Sequence, residues 1–350
     1  MIRHRSPVVA RISFVLFACA MAAACGGGSD RPAQPPQEPR LKIGLLMDTL
    51  QKDERWSRDR DLFVERAKEL DADVLVEAAE RDDAKQLQQA ESLLERGVQA
   101  LVVVPHGAEA AGKIVEAAAK RSVPVISYDR LILNADVDLY MSYDNRRVGE
   151  QQAQALRNQA PKGNYILIGG APTDHNAKLI REGQMSALED AVKRGDIKIV
   201  ADGWATDWTA EAAMELTEAG LKKAKNNVVA IVASNDTTAG GVIRALEKHG
   251  LAGKVHVSGQ DANLDAVRRI VAGTQTMTVY KPLRPLARGA ASAAVQFAKK
   301  EKFEGSTTVN NGKREVQALL MTPIAVNKAL IDQIIIGDKF HTKDQVYSGK

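Results

Sequence analysis

The chain has 350 residues, which is more than one hydrophobic core usually serves, so we expect two domains. Its 48 basic and 44 acidic side chains leave a net charge of +4, too small to suggest a nucleic-acid partner. The two cysteines, Cys19 and Cys25, lie near the N-terminus, so the folded part is expected to contain no disulfide, no thiol nucleophile and no cysteine metal site. We also expect no cofactor.

Residues 1–24 have the pattern of a bacterial signal peptide. Three arginines precede an apolar run at 12–24, and about a dozen apolar residues are too few to span a bilayer. The run ends in Ala22-Ala23-Ala24-Cys25, which resembles a lipobox, so Cys25 is the expected lipidation site. The alternative is an ordinary cleaved signal peptide followed by a chance cysteine.

The segment 25–40 is rich in glycine and proline, which predicts a flexible, extended tether. Cleavage before Cys25 removes three arginines and leaves 45 basic against 44 acidic side chains, so the basicity belongs mainly to the signal peptide. We therefore expect a lipoprotein of the periplasm or cell envelope that contacts the membrane through its lipid alone.

From residue 41 onward, short apolar runs alternate with segments of helical period. The runs are too hydrophobic to be half-exposed strands, which is typical of parallel strands buried on both faces. They lie at 41–47, 73–78, 100–104, 123–128, 137–142, 165–169, 197–201, 228–233, 255–259, 275–280 and 316–321. This order predicts an α/β protein with doubly wound parallel sheets, and the number of strands favours two sheets.

Polar segments near 143–147 and 281–285 predict the points at which the chain passes between two lobes. The N-terminal lobe is expected at 41–144, completed by about 285–322. The C-terminal lobe is expected at 145–284, completed by about 323–345. Several crossings between lobes would form a hinge that opens and closes a cleft.

Charged, amide and tryptophan side chains follow many of the predicted strands. Ligands of parallel sheets bind beyond the carboxyl ends of the strands, where the loops diverge. The candidate ligand-binding residues at these positions are Arg55, Trp56, Asp129, Arg130, Arg181, Trp208, Asn235, Asp261 and Lys281.

This mixture of residue types suits a polyhydroxylated ligand. Sugar hydroxyls both donate and accept hydrogen bonds, so carboxylates such as Asp129 and Asp261 would accept and the cations would donate. The apolar C–H faces of a sugar ring pack on flat aromatic rings, which Trp56 and Trp208 would supply.

Some of these residues also have a purely structural interpretation. Asp129 and Asp236 follow strands and could cap helices, and a single arginine often belongs to a solvated ion pair. Trp204 fits a core position as well as a site. His106 and His175 have no second ligand at metal-binding spacing, so we expect no metal site.

Several of the same segments resemble the type I periplasmic binding proteins of the ribose and galactose group, and within that family the D-xylose binders of bacterial ABC transporters. These segments are Glu54-Arg55-Trp56, Tyr128-Asp129-Arg130, Asn176-Ala177-Lys178-Leu179, Ala233-Ser234-Asn235-Asp236, Ser258-Gly259-Gln260-Asp261-Ala262 and the run from Ala272 to Pro282. The resemblance extends from Lys42 to about His341. It implies two α/β lobes with the nine candidate residues around a sugar, and Lys281 points to xylose over ribose.

The resemblance further implies a monomeric, non-enzymatic protein that delivers D-xylose to the permease of an ABC transporter. A sensory sugar-binding protein, or a binder of glucose, ribose or a sugar acid, remains an alternative. A glycosidase with two aspartates facing the sugar is disfavoured by the many charged donors. A dehydrogenase is disfavoured because Met47-Asp48-Thr49-Leu50 is not a glycine-rich turn.

Overall fold

The computed structural model describes residues 40–51 and 54–348. The predicted signal peptide, the lipidation site Cys25 and nearly all of the tether lie outside the described residues. None of the helices in these described ranges is both long and apolar enough to cross a membrane.

Strands and helices alternate along most of the described chain. The strands are β1 (Leu41–Met47), β2 (Ala72–Ala78), β3 (Ala100–Val103), β4 (Val125–Tyr128), β5 (Leu139–Tyr143), β6 (Gly163–Gly169), β7 (Ile197–Trp204), β8 (Ala230–Ala233), β9 (His256–Val257), β10 (Met277–Tyr280), β11 (Thr307–Asn310), β12 (Glu315–Met321) and β13 (Ile324–Asn327). The α-helices are α1 (Glu54–Glu69), α2 (Asp83–Glu95), α3 (Gly112–Ala119), α4 (Asn145–Gln159), α5 (His175–Lys193), α6 (Ala210–Lys223), α7 (Asp236–Lys248), α8 (Leu264–Ala272), α9 (Leu283–Ala298) and α10 (Lys343–Tyr347). Short 3-10 helices at Thr206–Trp208 and Lys328–Leu330 and a π-helix at Ile331–Ile336 complete the described helical structure.

The first sheet has seven strands in the order β11-β12-β5-β4-β3-β1-β2. All its pairs are parallel except β11 with β12. The second sheet has four parallel strands in the order β7-β6-β8-β9. A separate antiparallel pair, β10 with β13, is linked to the end of the second sheet by a parallel bridge between Gln260 and Val279.

Helices cover both faces of each large sheet, because alternate strand residues point to opposite faces. In β1, Leu45 packs in the core with α1 and α9, whereas Leu46 packs in the core with α2 and α3. In β6, Ile166 packs with α6 and α7, and Leu167 with α4 and α5. The doubly wound α/β fold predicted from the apolar runs is confirmed.

We call the first sheet with α1, α2, α3 and α9 the N-terminal lobe, and the second sheet with β10, β13 and the other helices the C-terminal lobe. The chain passes between them three times, after β5, after β10 and after β12. Each passage is only a few residues long, and all three lie at the ends of strands. The carboxyl ends of the parallel strands in both lobes therefore border the same cleft.

Candidate functional site

A polar cavity lies between the two lobes at these strand ends. The cavity has a volume of about 60 Å³, which is room for several water molecules, since one water needs about 10 to 15 Å³. The cavity therefore fits a small ligand and not a polymer. Its lining residues are Asp48, Arg55, Trp56, Arg81, Asp129, Arg130, Asn145, Asp174, Asn176, Ile180, Trp208, Asn235, Thr237, Gln260, Asp261 and Lys281.

Arg55 lies in the first turn of α1, with its guanidinium between acceptors from both lobes. Its Nη2 forms an ion pair with Asp129 Oδ2, and its Nη1 lies 3.6 Å from Asp261 Oδ1. The guanidinium also stacks 4.5 Å from the centre of the Trp56 ring. Burial lowers the pKa of Arg55, but the charges of Asp129, Asp59 and Asp261 outweigh it and raise the pKa well above its ordinary value. Arg55 is therefore a permanent cation in the cavity.

Asp129 offers both its backbone carbonyl and its carboxylate to polar neighbours. Its φ angle is +61°, in the left-handed region that aspartate tolerates better than most residues. The carbonyl accepts hydrogen bonds from Ser142 Oγ at 2.6 Å, Tyr140 Oη at 3.1 Å and Asn176 Nδ2 at 3.0 Å. These donors come from both lobes. The carboxylate lines the cavity, where its Oδ1 accepts Asn176 Nδ2 at 3.3 Å and its Oδ2 pairs with Arg55.

Arg130 connects the two lobes across the cavity. Its Nη1 donates to Asp48 Oδ2 at 2.8 Å, and its Nε lies 3.0 Å from Asp174 Oδ2 in the C-terminal lobe. His106 Nδ1 lies 3.0 Å from the other carboxylate oxygen of Asp48. The Arg130 guanidinium also lies 5.5 Å from the centre of the Trp56 ring.

Two carboxylates of the N-terminal lobe are held in the ionised form. Burial raises the pKa of Asp48, but its interaction with His106 and the charge of Arg130 outweigh burial and hold the pKa below its ordinary value. Burial also raises the pKa of Asp129, and the surrounding cations, Arg55 foremost, outweigh it and lower the pKa. Both side chains are therefore hydrogen-bond acceptors at neutral pH.

Asp261 and Lys281 form an ion pair in the C-terminal lobe. Lys281 Nζ lies 2.9 Å from Asp261 Oδ1, and the same ammonium group lies 5.6 Å from the centre of the Tyr143 ring. Asp261 has a φ angle of +94°, and its backbone N–H donates to Val279 O at 2.8 Å. The N-cap position of α8 belongs to Asn263, so Asp261 is not a helix cap.

Asn235 combines a structural bond with a group that faces the cavity. Its Oδ1 accepts the backbone N–H of Thr238 at 2.9 Å, which caps α7. Because a backbone donor requires the amide oxygen, the Nδ2 group is directed elsewhere and can donate to a ligand. The cap predicted as an alternative for Asp236 is therefore supplied by Asn235, and Asp236 is the first residue of the helix.

Two of the three tryptophans line the cavity. Trp56 is buried beneath the guanidinium groups of Arg55 and Arg130. Trp208 is half-buried, and its Nε1 donates to Asp174 Oδ2 at 3.2 Å. Its ring packs so closely on Gly170 that any side chain at that position would overlap it. The cavity thus presents two indole rings beside its charged groups.

Eight of the nine residues predicted to bind the ligand line this cavity, and Arg181 does not. Its Nε donates to Gln184 Oε1 at 3.0 Å, its Nη1 pairs with Asp202, and its guanidinium lies 5.0 Å from the Trp204 ring. The preceding residue on α5, Ile180, lines the cavity. One residue further along a helix points about 100° away, so Arg181 faces β7 instead.

The cavity also contains polar side chains that the sequence analysis did not propose as ligands: Asp48, Arg81, Asn145, Asp174, Asn176, Thr237 and Gln260. Asp48 directly follows β1, and Arg81 follows β2. Asp174 and Asn176 follow β6, around the start of α5. Considering every polar residue in the whole loop after each strand, and not only those nearest the strand end, would have identified these lining residues. Among the described residues, no group of three or more His, Cys, Asp or Glu side chains could hold a metal ion.

Two α/β lobes that enclose a polar, tryptophan-lined cavity define a binding protein for small solutes. The profile of the periplasmic binding protein domain matches residues 43–302, and the chain belongs to this family. The match is to binding proteins and not to enzymes, which confirms the class predicted from the sequence.

Two named relatives and one solved structure are similar to this chain over most of its length. The chain is 49% identical over 307 residues to the D-xylose-binding periplasmic protein of Haemophilus influenzae, covering 88% of this chain and 92% of that protein. It is 46% identical over 306 residues to the protein of the same name from Escherichia coli K12, covering 87% and 92%. A carbohydrate transporter solute-binding protein from Chloroflexus aurantiacus, solved with D-glucose, has a TM-score of 0.81 and 30% identity, covering 87% of this chain and 97% of that one.

Proposed function

We propose that this protein binds D-xylose in the cavity between its lobes and delivers the sugar to the permease of an ABC importer. The observation that carries the proposal is the lining of the cavity, where carboxylates and cations alternate around two indole rings. Such a lining offers paired acceptors and donors to hydroxyl groups and flat apolar surface to a sugar ring. Two relatives that match most of the chain are named for xylose, which supports this choice of sugar.

The charge balance of the lining favours a neutral sugar over a sugar acid. Four carboxyl groups line the cavity, those of Asp48, Asp129, Asp174 and Asp261. Four cations line it as well, Arg55, Arg81, Arg130 and Lys281. A sugar carboxylate would add an uncompensated negative charge to this desolvated site, whereas a neutral pentose leaves the balance intact.

The sugar contacts in this proposal come from both lobes. Arg55, Asp129 and Arg130 bind hydroxyl groups from the N-terminal side, and Asn235, Asp261 and Lys281 bind them from the C-terminal side. Trp56 and Trp208 cover the ring, while Asp174 and Asn176 add an acceptor and a donor. Because the ligand touches both lobes, it favours the closed arrangement over any open one.

The lobe boundaries, oligomeric state and cellular location in this proposal are those expected from the sequence. A monomer with lobes at 41–144 plus about 285–322, and 145–284 plus about 323–345, would bend at its three crossings. It would act in the periplasm or at the cell envelope, tied to the membrane through a lipid on Cys25. The permease would then take the sugar from the closed form.

A calorimetric panel tests the proposed ligand. We expect D-xylose to bind most tightly, D-glucose and D-ribose to bind at least about tenfold more weakly, and D-xylonate to give no heat of binding. The matched control is xylitol, which carries similar hydroxyl groups without a ring to stack on tryptophan. Equal affinity for xylonate and xylose would contradict the neutral site, and no binding of D-xylose would overturn the proposed function.

A further inference from the structure

A buried carboxylate lies directly behind the cavity. Asp59 is one turn after Arg55 on α1, is 2% exposed and does not line the cavity. Its Oδ1 accepts a hydrogen bond from the Tyr128 hydroxyl, and its Oδ2 lies 3.4 Å from Arg55 Nε. An ionised carboxylate in such a place is costly to bury, and an apolar side chain would often be as stable.

Asp59 differs from the other two carboxylates that face Arg55. Asp129 and Asp261 line the cavity, where sugar hydroxyls would compete with Arg55 for their lone pairs. Asp59 contacts the Nε edge of the guanidinium, whereas the other two carboxylates contact Nη2 and Nη1, and Asp59 does not line the cavity. It can therefore hold Arg55 in the same orientation while the other two carboxylates turn to the sugar.

We propose that Asp59 is a positioning residue, whose ionised carboxylate holds the Arg55 guanidinium in place for sugar binding, so that protonation of Asp59 weakens binding. This inference rests on the proposed function. It adds a pH dependence that comes from a residue outside the cavity.

The groups around Asp59 determine the pH range in which its carboxyl group titrates. Arg55 faces it from α1, Tyr128 from the end of β4 and Asp129 from the loop after β4, and Lys281 and Tyr143 act on it from a greater distance. Burial raises the pKa of Asp59 to about 6, against the lowering effects of Arg55 and the Tyr128 hydrogen bond.

The sign of the effect on binding differs from the sign of the effect on stability. If the ionised form binds sugar, affinity falls as the pH drops through this pKa, by about tenfold one pH unit below it. The pKa of Asp59 in the folded protein lies above the ordinary value for aspartate, so ionisation of Asp59 lowers the stability of the fold as the pH rises from about 4 to 6. A carboxylate without a role in binding would change the stability of the fold with pH but not the affinity for sugar.

The test measures D-xylose affinity by calorimetry from pH 7.5 to pH 5 in the full protein and two variants. Asp59→Asn keeps the shape of the side chain and copies the protonated form. Asp61→Asn makes the same change at an exposed position on the same helix and serves as the control. We expect the unsubstituted protein and Asp61→Asn to lose about tenfold in affinity at pH 5, and Asp59→Asn to bind at least about tenfold more weakly at pH 7.5 and to change less than about twofold with pH.

A second variant keeps the inference open to refutation if Asp59→Asn folds poorly. Tyr128→Phe removes a hydrogen bond that lowers the pKa of Asp59, so the midpoint of the affinity profile should move to higher pH. An unchanged midpoint in Tyr128→Phe would overturn the inference. So would an Asp59→Asn variant that retains the original affinity or pH profile, and in both cases xylose binding at pH 7.5 would leave the proposed function standing. No binding by the unsubstituted protein at any pH would overturn both.

Discussion

Asp261 Oδ1 lies 2.9 Å from Lys281 Nζ in the same lobe, and Arg55 Nη1 approaches the same oxygen to 3.6 Å from the opposite lobe. One carboxylate oxygen therefore compensates two buried cations. The Asp261 side chain is 12% exposed and that of Lys281 only 4%. Removing this carboxylate leaves Lys281 buried with little solvent to replace its partner. The loss therefore lowers the stability of the unliganded protein as well as its affinity for the ligand.

Asp261→Asn should weaken xylose binding strongly. The variant loses charge-assisted hydrogen bonds to the sugar in a desolvated cavity, at a cost of about 2 to 4 kcal/mol. Affinity measured by calorimetry should fall by a factor on the order of 30 to 1,000, and the melting temperature should fall too because Lys281 loses its ion pair. Asp265→Asn, an exposed position in α8, is the control and should change neither quantity. An affinity within twofold of the original would remove Asp261 from the binding site.

Gly170→Ala should move Trp208. The added methyl group would overlap the indole ring, so the ring must leave its place beside Asp174. Loss of an aromatic contact worth about 0.5 to 1.5 kcal/mol predicts an affinity about two- to twelvefold lower. Calorimetry measures the affinity, and tryptophan fluorescence reports the ring. Gly240→Ala has room for its methyl group and is the control. A changed fluorescence with unchanged affinity in Gly170→Ala would exclude Trp208 from the site.

Arg181→Lys should affect stability and not binding. The Arg181 guanidinium contacts Gln184 through Nε and Asp202 through Nη1, and the single ammonium group of lysine cannot reproduce both contacts. The free energy of unfolding should therefore fall by about 1 to 2 kcal/mol in denaturant titrations. Xylose affinity should stay within about twofold. Arg130→Lys is the matched substitution inside the cavity and should weaken binding by at least about tenfold. A comparable loss of affinity in Arg181→Lys would return that residue to the site.

Cys25→Ala should release the protein from the membrane. A lipidated cysteine with more than one acyl chain is enough for stable anchoring, and its removal leaves a soluble protein that still binds xylose. Fractionation of cells followed by a binding assay on the soluble fraction checks both parts. If the variant stays in the membrane fraction, the lipobox interpretation is wrong.

Much of the fold follows from the apolar runs of the sequence. The run at 41–47 is observed as β1 over the same residues, because residues 43–47 are apolar or glycine and buried, while Lys42 lies at the exposed start of the strand. The run at 255–259 gives only the two-residue β9. There Ser258 Oγ donates to Ala233 O, and Gly259 packs against the Asp236 carboxylate. Such long-range contacts are not visible in a local pattern.

The candidate site could be located from sequence to the level of a loop, and less often to the level of a side chain. Asp129 and Asp261 were found because they follow strands that end at the cleft. Arg181 was also predicted to bind the ligand but does not line the cavity, because a position after a strand does not give the rotation of the helix that follows. Asp174 was missed because its role depends on Arg130, which is distant in sequence and belongs to the other lobe.

The carbonyl oxygen of Asp129 accepts Asn176 Nδ2 from the C-terminal lobe and two hydroxyl groups from the N-terminal lobe. Because this acceptor belongs to the main chain, any residue at position 129 that tolerates a left-handed backbone can provide it. A change of side chain at that position therefore keeps this backbone acceptor, although it removes the ion pair with Arg55. Asn or Gly at 129 would therefore be practical starting points for redesigning specificity, since both keep the contact between the lobes while changing what the cavity offers a ligand.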